Sequence, residues 1–253
     1  MYNHSNTQTL KHSNTQMNIL AILPIFDNSK IASHGKLNHV NNKPLISYPL
    51  ASIKATKMID DLVIATPSSK ITALVSELNV PTILTKFTSD ISELYQSTIT
   101  QTLNVLKKNQ NSNYDYIVIM NPTSPLLLPE DIDNTIKKII DTDSDTAIIT
   151  TPFHFFIWER DPNGIAKGVN ADMYKRNNQR QQQMGSNPEY KPNYLNSDSI
   201  LIIKSNYFKI SKLKSLGKTT MYVVPKYRSF SIRNDYEFAI IETILKNTYE
   251  KSE

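Results

Sequence analysis

The sequence predicts an α/β fold: a doubly wound, mainly parallel sheet with a β-hairpin arm projecting from it. Three observations carry that expectation. Continuous aliphatic runs such as Asp61–Thr66 (DLVIAT) and Tyr116–Met120 (YIVIM) read as strands buried on both faces. Stretches with apolar residues at helical spacing separate them, the alternation of a parallel sheet and its crossover helices. Between residues 152 and 197 that alternation breaks, and an aromatic run meets a turn sequence.

Taken in order, residues 1–17 form a polar tail that repeats His-Ser-Asn-Thr-Gln at 4–8 and 12–16. Such a segment has too little apolar surface to order itself, and Met17 is an alternative start. A single folded domain is expected over 18–253, with 152–197 as its arm or insertion. Ile19 to Leu23 is the first strand, followed by a polar loop from Pro24 to Asn42. Pro44 suits the first position of a helix running to about Lys57, with Pro49 bending or interrupting it. Asp61–Thr66 is a strand, Ser68 to Leu78 a helix and Pro81 to Leu84 a third strand. Ser89 to Lys108 is helical by its spacing of Ile91, Leu94, Tyr95, Ile99, Leu103 and Leu106. Tyr116–Met120 is the clearest strand, Pro129 opens a helix with Ile132, Ile136, Ile139 and Ile140 on one face, and Thr146 to Thr151 is a fifth strand. In the arm, Phe153, Phe155, Phe156, Ile157 and Trp158 precede the turn Asp161-Pro162-Asn163-Gly164, and the aromatics suit a subunit interface. Ser199 to Ile203, Thr220 to Val224 and a helix from Asp235 to about Asn247 complete the chain.

Composition narrows the function. The 253 residues contain no cysteine, which excludes disulfides, thiolate metal sites and a cysteine nucleophile. No apolar run approaches a membrane span, no secretory signal is seen, and a cytoplasmic location is expected. The net charge of +5 suits an anionic ligand, but its basic residues are scattered. Pairs such as Lys107-Lys108 and Lys137-Lys138 read as solvated helix faces, so nucleic acid is not an expected partner.

In a doubly wound sheet ligands bind at the edge where strands give way to helices. Two loops fall there. Pro24 to Lys30 offers backbone N–H groups and a lysine to a triphosphate, although it is not glycine-rich. Asn121-Pro122-Thr123-Ser124-Pro125-Leu126 is a proline-fixed loop, read either as a rigid turn or as two hydroxyls facing a ligand.

These pieces, in this order, resemble the acylneuraminate cytidylyltransferase family over roughly residues 18 to 248. Asn28-Ser29-Lys30 and Lys43-Pro44-Leu45-Ile46 resemble its first loop and the G-K-P-L-I stretch, and Pro122–Leu126 its P-T-S-P-L loop. Arg180-Gln181-Gln182 and Tyr190-Lys191-Pro192-Asn193 resemble its arm, and Ser229–Phe238 the frame of its S-x-D-I-D-T-x-x-D-F signature. The resemblance implies a Rossmann-like nucleotidyltransferase that moves CMP from CTP to an acidic, sialic-acid-type sugar and releases pyrophosphate. It implies nucleotide binding by Asn28, Ser29, Lys30, Pro122, Thr123 and Ser124. It places Arg180, Gln181 and Asn193, with Asn196 as a competing match, at the sugar, and it implies a homodimer formed through the arm.

The departures fall where the chemistry is. Phe26 and Leu127 stand where the family has arginines, with Asp27 following the first. The family's two aspartates align with Ser231 and Arg233, so Mg²⁺ is expected from the family while its ligands are not found. Arg233, with Lys30, is the candidate to offset phosphate charge directly. Asp235 and Glu237 have the spacing of the missing pair, but Asn234 followed by Glu237 reads as a helix cap. Asp27 and Asp198 are other carboxylates able to reach the site, without a motif to support them. The alternatives to transfer onto an acidic sugar are a catalytically inactive binding or scaffold subunit, and a transferase for another sugar or nucleotide.

Overall fold

The computed structural model describes residues 17–26, 32–33, 36–86, 91–110, 113–153, 155, 157–169 and 193–249. Seven strands form the central sheet: β1 (Ile19–Pro24), β2 (Asp61–Thr66), β3 (Thr82–Leu84), β4 (Tyr116–Met120), β5 (Thr146–Phe153), β6 (Asn193–Lys204) and β7 (Thr219–Val223). Their order across the sheet is β7-β5-β6-β4-β1-β2-β3. Every neighbour pairing is parallel except the two made by β6, which runs antiparallel to β4 and to β5. The mainly parallel sheet is therefore as the aliphatic runs predict. The returning strand is longer than the expected Ser199–Ile203 and opposite in direction to its neighbours.

All of β1 is buried, and its side chains alternate between two cores. Ile19, Ala21 and Leu23 face one core with residues of α1 (Ser47–Lys54), α2 (Ser69–Val75), α4 (Pro129–Asp141) and α6 (Asp235–Tyr249). Leu20 and Ile22 face the other, with Ile99 and Leu106 of α3 (Ile91–Gln110) and Phe208 of α5 (Ser205–Ser211). Helices thus cover both faces, which is why β1 carries no polar side chain. Lys107, Lys108, Lys137 and Lys138 are exposed, as their helix faces predict.

The structure moves some boundaries. Pro44 does not open a helix; it pairs in a short antiparallel ribbon, His39–Val40 with Lys43–Pro44, and α1 begins at Ser47. Pro49 then falls in the first turn, where its missing N–H has no helical acceptor to lose, so it neither bends nor interrupts the helix. Another ribbon, Ala32–Ser33 with Lys36–Leu37, lies within the loop read as irregular. Ser68 caps α2 by accepting from the Ile71 N–H. The arm's hairpin is present as Trp158–Arg160 against Ala166–Gly168. Its turn is closed by Asp161 Oδ1, which accepts from the N–H groups of Asn163 and Ile165, and Gly164 adopts φ 86°.

Candidate functional site

β1 lies between β2 and β4, so successive connections leave it in opposite directions, and the crevice of a doubly wound sheet opens between the ends of β1 and β4. Ile22 is level with Ile119, which brings Pro24 and Met120, the ends of the two strands, to one edge. Asn28, Ser29 and Lys30 lie outside the described residues, and so do Asp27, Arg180 and Gln181.

The second loop is built as a rigid turn. Asn121 Oδ1 accepts from both the backbone N–H and the hydroxyl of Thr123, at 2.9 and 2.8 Å, and the Ser124 N–H reaches the Asn121 carbonyl at 3.2 Å. Ser124 does not face outward. Its hydroxyl is buried and pairs with the Ser231 hydroxyl at 2.5 Å. The Ile232 N–H donates to the Thr123 carbonyl at 2.9 Å, so the segment before α6 straps the loop from below. Arg233, exposed, follows directly, and its backbone N–H donates to Glu237. Glu237 in turn donates its N–H to Asn234 Oδ1, the cap read from the sequence. Asp235 and Glu237 are thereby helix-end residues.

The two positions where arginines were expected are apolar packing sites. Leu127 is 1% exposed in the core, with its carbonyl held by the Ser52 hydroxyl. The Phe26 ring lies 6.1 Å from that of Tyr95 on α3. One turn later Asp131, also buried, accepts the Leu128 N–H at 3.0 Å and faces Arg228 at 3.4 Å. Burial holds its carboxyl above the usual range, opposed by the Leu128 N–H and by Arg228.

On the other side of β4, β6 contributes a bulge. Its pairing with β5 slips between Asn196 and Leu201, and Asp198 within the slip adopts φ 52°, a left-handed conformation. Ser197 and Ser199 turn inward as a hydroxyl pair and Asp198 turns outward. Asn196 Nδ2 donates to Asp198 Oδ1 at 2.9 Å, while Asn121 Nδ2 donates to the Asp198 carbonyl at 3.3 Å. The bulge and the second loop are therefore one hydrogen-bonded unit. Burial pushes the Tyr95 hydroxyl's pKa well up, and the nearby charge of Asp198 adds to it. Asn193 and Asn196 are both exposed at this end of β6.

Do these residues suit a divalent cation at the signature positions? They do not. Ser231 Oγ is committed to Ser124, arginine is no ligand, and no group of three His, Asp or Glu side chains converges among the described residues. Cavities lined by described residues include one of about 490 Å³ beside Tyr116 and Lys204. Another of about 270 Å³ sits between α3 and α5, and one of about 510 Å³ is lined by α1, Pro125 to Leu128 and α6. The sequence names Asn121, Tyr95, Asp198 and Ser231 separately, and nothing in it links them as one connected set.

A family model described as cytidylyltransferase matches residues 35–208. No curated protein matches the chain in sequence. Among solved structures, a CMP:2-keto-3-deoxy-manno-octonic acid synthetase complexed with CTP superposes with a TM-score of 0.62 at 10% identity, covering 91% of this chain and 99% of that one. The 4-diphosphocytidyl-2C-methyl-D-erythritol synthase of Anaerococcus prevotii gives 0.60 at 12% identity, with 91% and 97% covered. Another synthase of that name gives 0.62 at 9% identity, with 90% and 99% covered. At such identities the likeness is one of fold.

Proposed function

This chain belongs to the cytidylyltransferase family, and we propose that it transfers CMP from CTP to an acidic, sialic-acid-type sugar with release of pyrophosphate. The observation that carries the proposal is that β1 and β4 end side by side at the crevice, with the β4 loop braced by Asn121 and Ser231. The nucleotide would lie across that edge. Asn28, Ser29 and Lys30 would hold its phosphates, while Pro122 and Thr123 would set the wall beside it. Ser124 serves this wall from within, through Ser231, rather than by offering its hydroxyl. Arg180, Gln181, Asn193 and Asn196 would line the acceptor side. A transfer of this kind needs positioning and charge neutralisation more than covalent catalysis by the protein. Lys30 and Arg233 would supply positive charge, Arg233 through its planar fork.

A homodimer through the arm accompanies this reading. Phe155, Ile157, Trp158 and Ile165 are all exposed there, an apolar surface that a second copy would cover. The test of function is pyrophosphate release from purified protein with CTP and a panel of acylneuraminate-type sugars, repeated with ATP, GTP and UTP. Turnover with CTP and an acidic sugar is expected. The commitment of Ser231 to Ser124 favours a second reading, a subunit that binds nucleotide without turning it over. Nucleotide binding without pyrophosphate release from any pair would establish that one. Release with another nucleotide would make the chain a transferase of different specificity.

A further inference from the structure

We infer that Asp198 is the residue that takes the proton from the acceptor hydroxyl. The inference rests on the transfer reaction proposed above. Its first support is position. β4 is flanked by β1 on one side and β6 on the other, so Asp198 sits on the opposite side of the β4 loop from the end of β1. An in-line displacement puts the attacking and leaving oxygens on opposite sides of the α-phosphorus. With the leaving pyrophosphate on the β1 side of the β4 loop, as the proposed reaction requires, the acceptor enters from the β6 side, where Asp198 stands.

The second support is the way the carboxylate is held. Oδ1 is fixed by Asn196 Nδ2, and Oδ2 has no hydrogen-bond partner among the described residues. The side chain is exposed, although its backbone is fastened to Asn121. The third is conformation: a non-glycine residue in the left-handed region inside a strand is uncommon, and a bulge there re-aims a side chain. Asp198 is displaced from the strand's regular path, and Asn121, the base of the β4 loop, holds it so.

The step balances without a further reagent. The acceptor oxygen forms a bond to the α-phosphorus while the bond to the pyrophosphate oxygen breaks. Pyrophosphate leaves with that electron pair, and the acceptor's proton passes to the Asp198 carboxylate and then to solvent.

Asp198→Asn is the decisive variant, because asparagine tolerates the left-handed conformation and can still accept from Asn196. We expect kcat to fall by ~100-fold or more, the usual scale for a lost general base, with CTP affinity by calorimetry changed less than about twofold. Asp198→Gly relieves the backbone, so its Tm should hold or rise while turnover is lost. Retention of kcat in either variant would overturn the inference. So would loss of CTP binding in Asp198→Asn, or recovery of its rate at high Mg²⁺, which would make the carboxylate a cation ligand. Failure of the wild type to release pyrophosphate with any nucleotide and sugar would instead remove the transfer reaction itself, and this role with it.

Discussion

The hydroxyl pair of Ser124 and Ser231 gives a quantitative test of how the candidate site is held. Both residues are buried, at 0% and 1% exposure, and each hydroxyl has the other as its partner at 2.5 Å. Ser124→Ala leaves the Ser231 hydroxyl unpaired in a dry environment, and Ser231→Ala does the converse. Each should cost about 1–3 kcal/mol, the penalty for an unsatisfied buried polar group. The double variant removes both groups, so it should lose no more than either single one. That leaves a coupling at least as large as one single loss, about 1–3 kcal/mol. The assay is urea unfolding followed by far-ultraviolet circular dichroism, since the lone tryptophan, Trp158, is exposed on the arm and reports little of the core. A chain of this length should shift in Tm by about 2–4 °C per kcal/mol. Nucleotide affinity adds a second reading: if Ser124 acts only through the loop, CTP binding weakened in one single variant recovers in the double. Stabilities that add within about 0.5 kcal/mol would refute the coupled brace. A double variant still weak for CTP would return the Ser124 hydroxyl to the ligand.

Other consequences can be measured directly. Arg233→Asp should weaken CTP binding about tenfold or more if the guanidinium meets phosphate, on the scale of one charge-assisted hydrogen bond; unchanged calorimetry would remove it from the site. Gly217→Ala should destabilise by about 1–3 kcal/mol in chemical unfolding, as strained left-handed residues do. Its Cβ would come within 2.5 Å of Asp145 Oδ2 and 2.6 Å of the Tyr207 ring, at φ +61°. Tyr95 should make the fold sensitive to alkali. Its pKa is raised on folding, so above pH 10 the unfolded chain releases a proton that the native state keeps, and stability falls as pH rises. Tyr95→Phe should reduce that slope by one proton, about 1.4 kcal/mol per pH unit, in urea titrations between pH 10.5 and 11.5. An unchanged slope would mean that Tyr95 ionises freely.

Much of this architecture could be read from residue patterns, for a physical reason. A strand buried on both faces is mostly aliphatic, so Asp61–Thr66 and Tyr116–Met120 have the boundaries their composition predicts. Pro129 and the Asn234–Glu237 pair act locally, and they mark helix starts where expected. Strand direction is different: a period of two is the same read either way, so nothing in Ser199–Ile203 revealed that β6 runs backwards. Pro49 misled because a proline's effect depends on its helix position, and that rested on where α1 began. At the site, the place of the Asn121–Leu126 loop was legible from strand order. The inward turn of Ser124 was not, because a hydroxyl chooses its partner from tertiary neighbours 107 positions away. Leu127 and Phe26 looked like lost ligands and are instead packed side chains, a distinction only burial makes.

The strap from Ile232 to Thr123 has a consequence for synthesis on the ribosome. A nascent chain that has emerged through Lys204 carries six of the seven strands and the whole Asn121–Leu126 loop, yet nothing supports that loop from beneath. The crevice acquires its floor only when residues 231 and 232 leave the exit tunnel, some thirty positions later. Shortened products ending before that point would own most of the sheet and present an unbraced nucleotide wall.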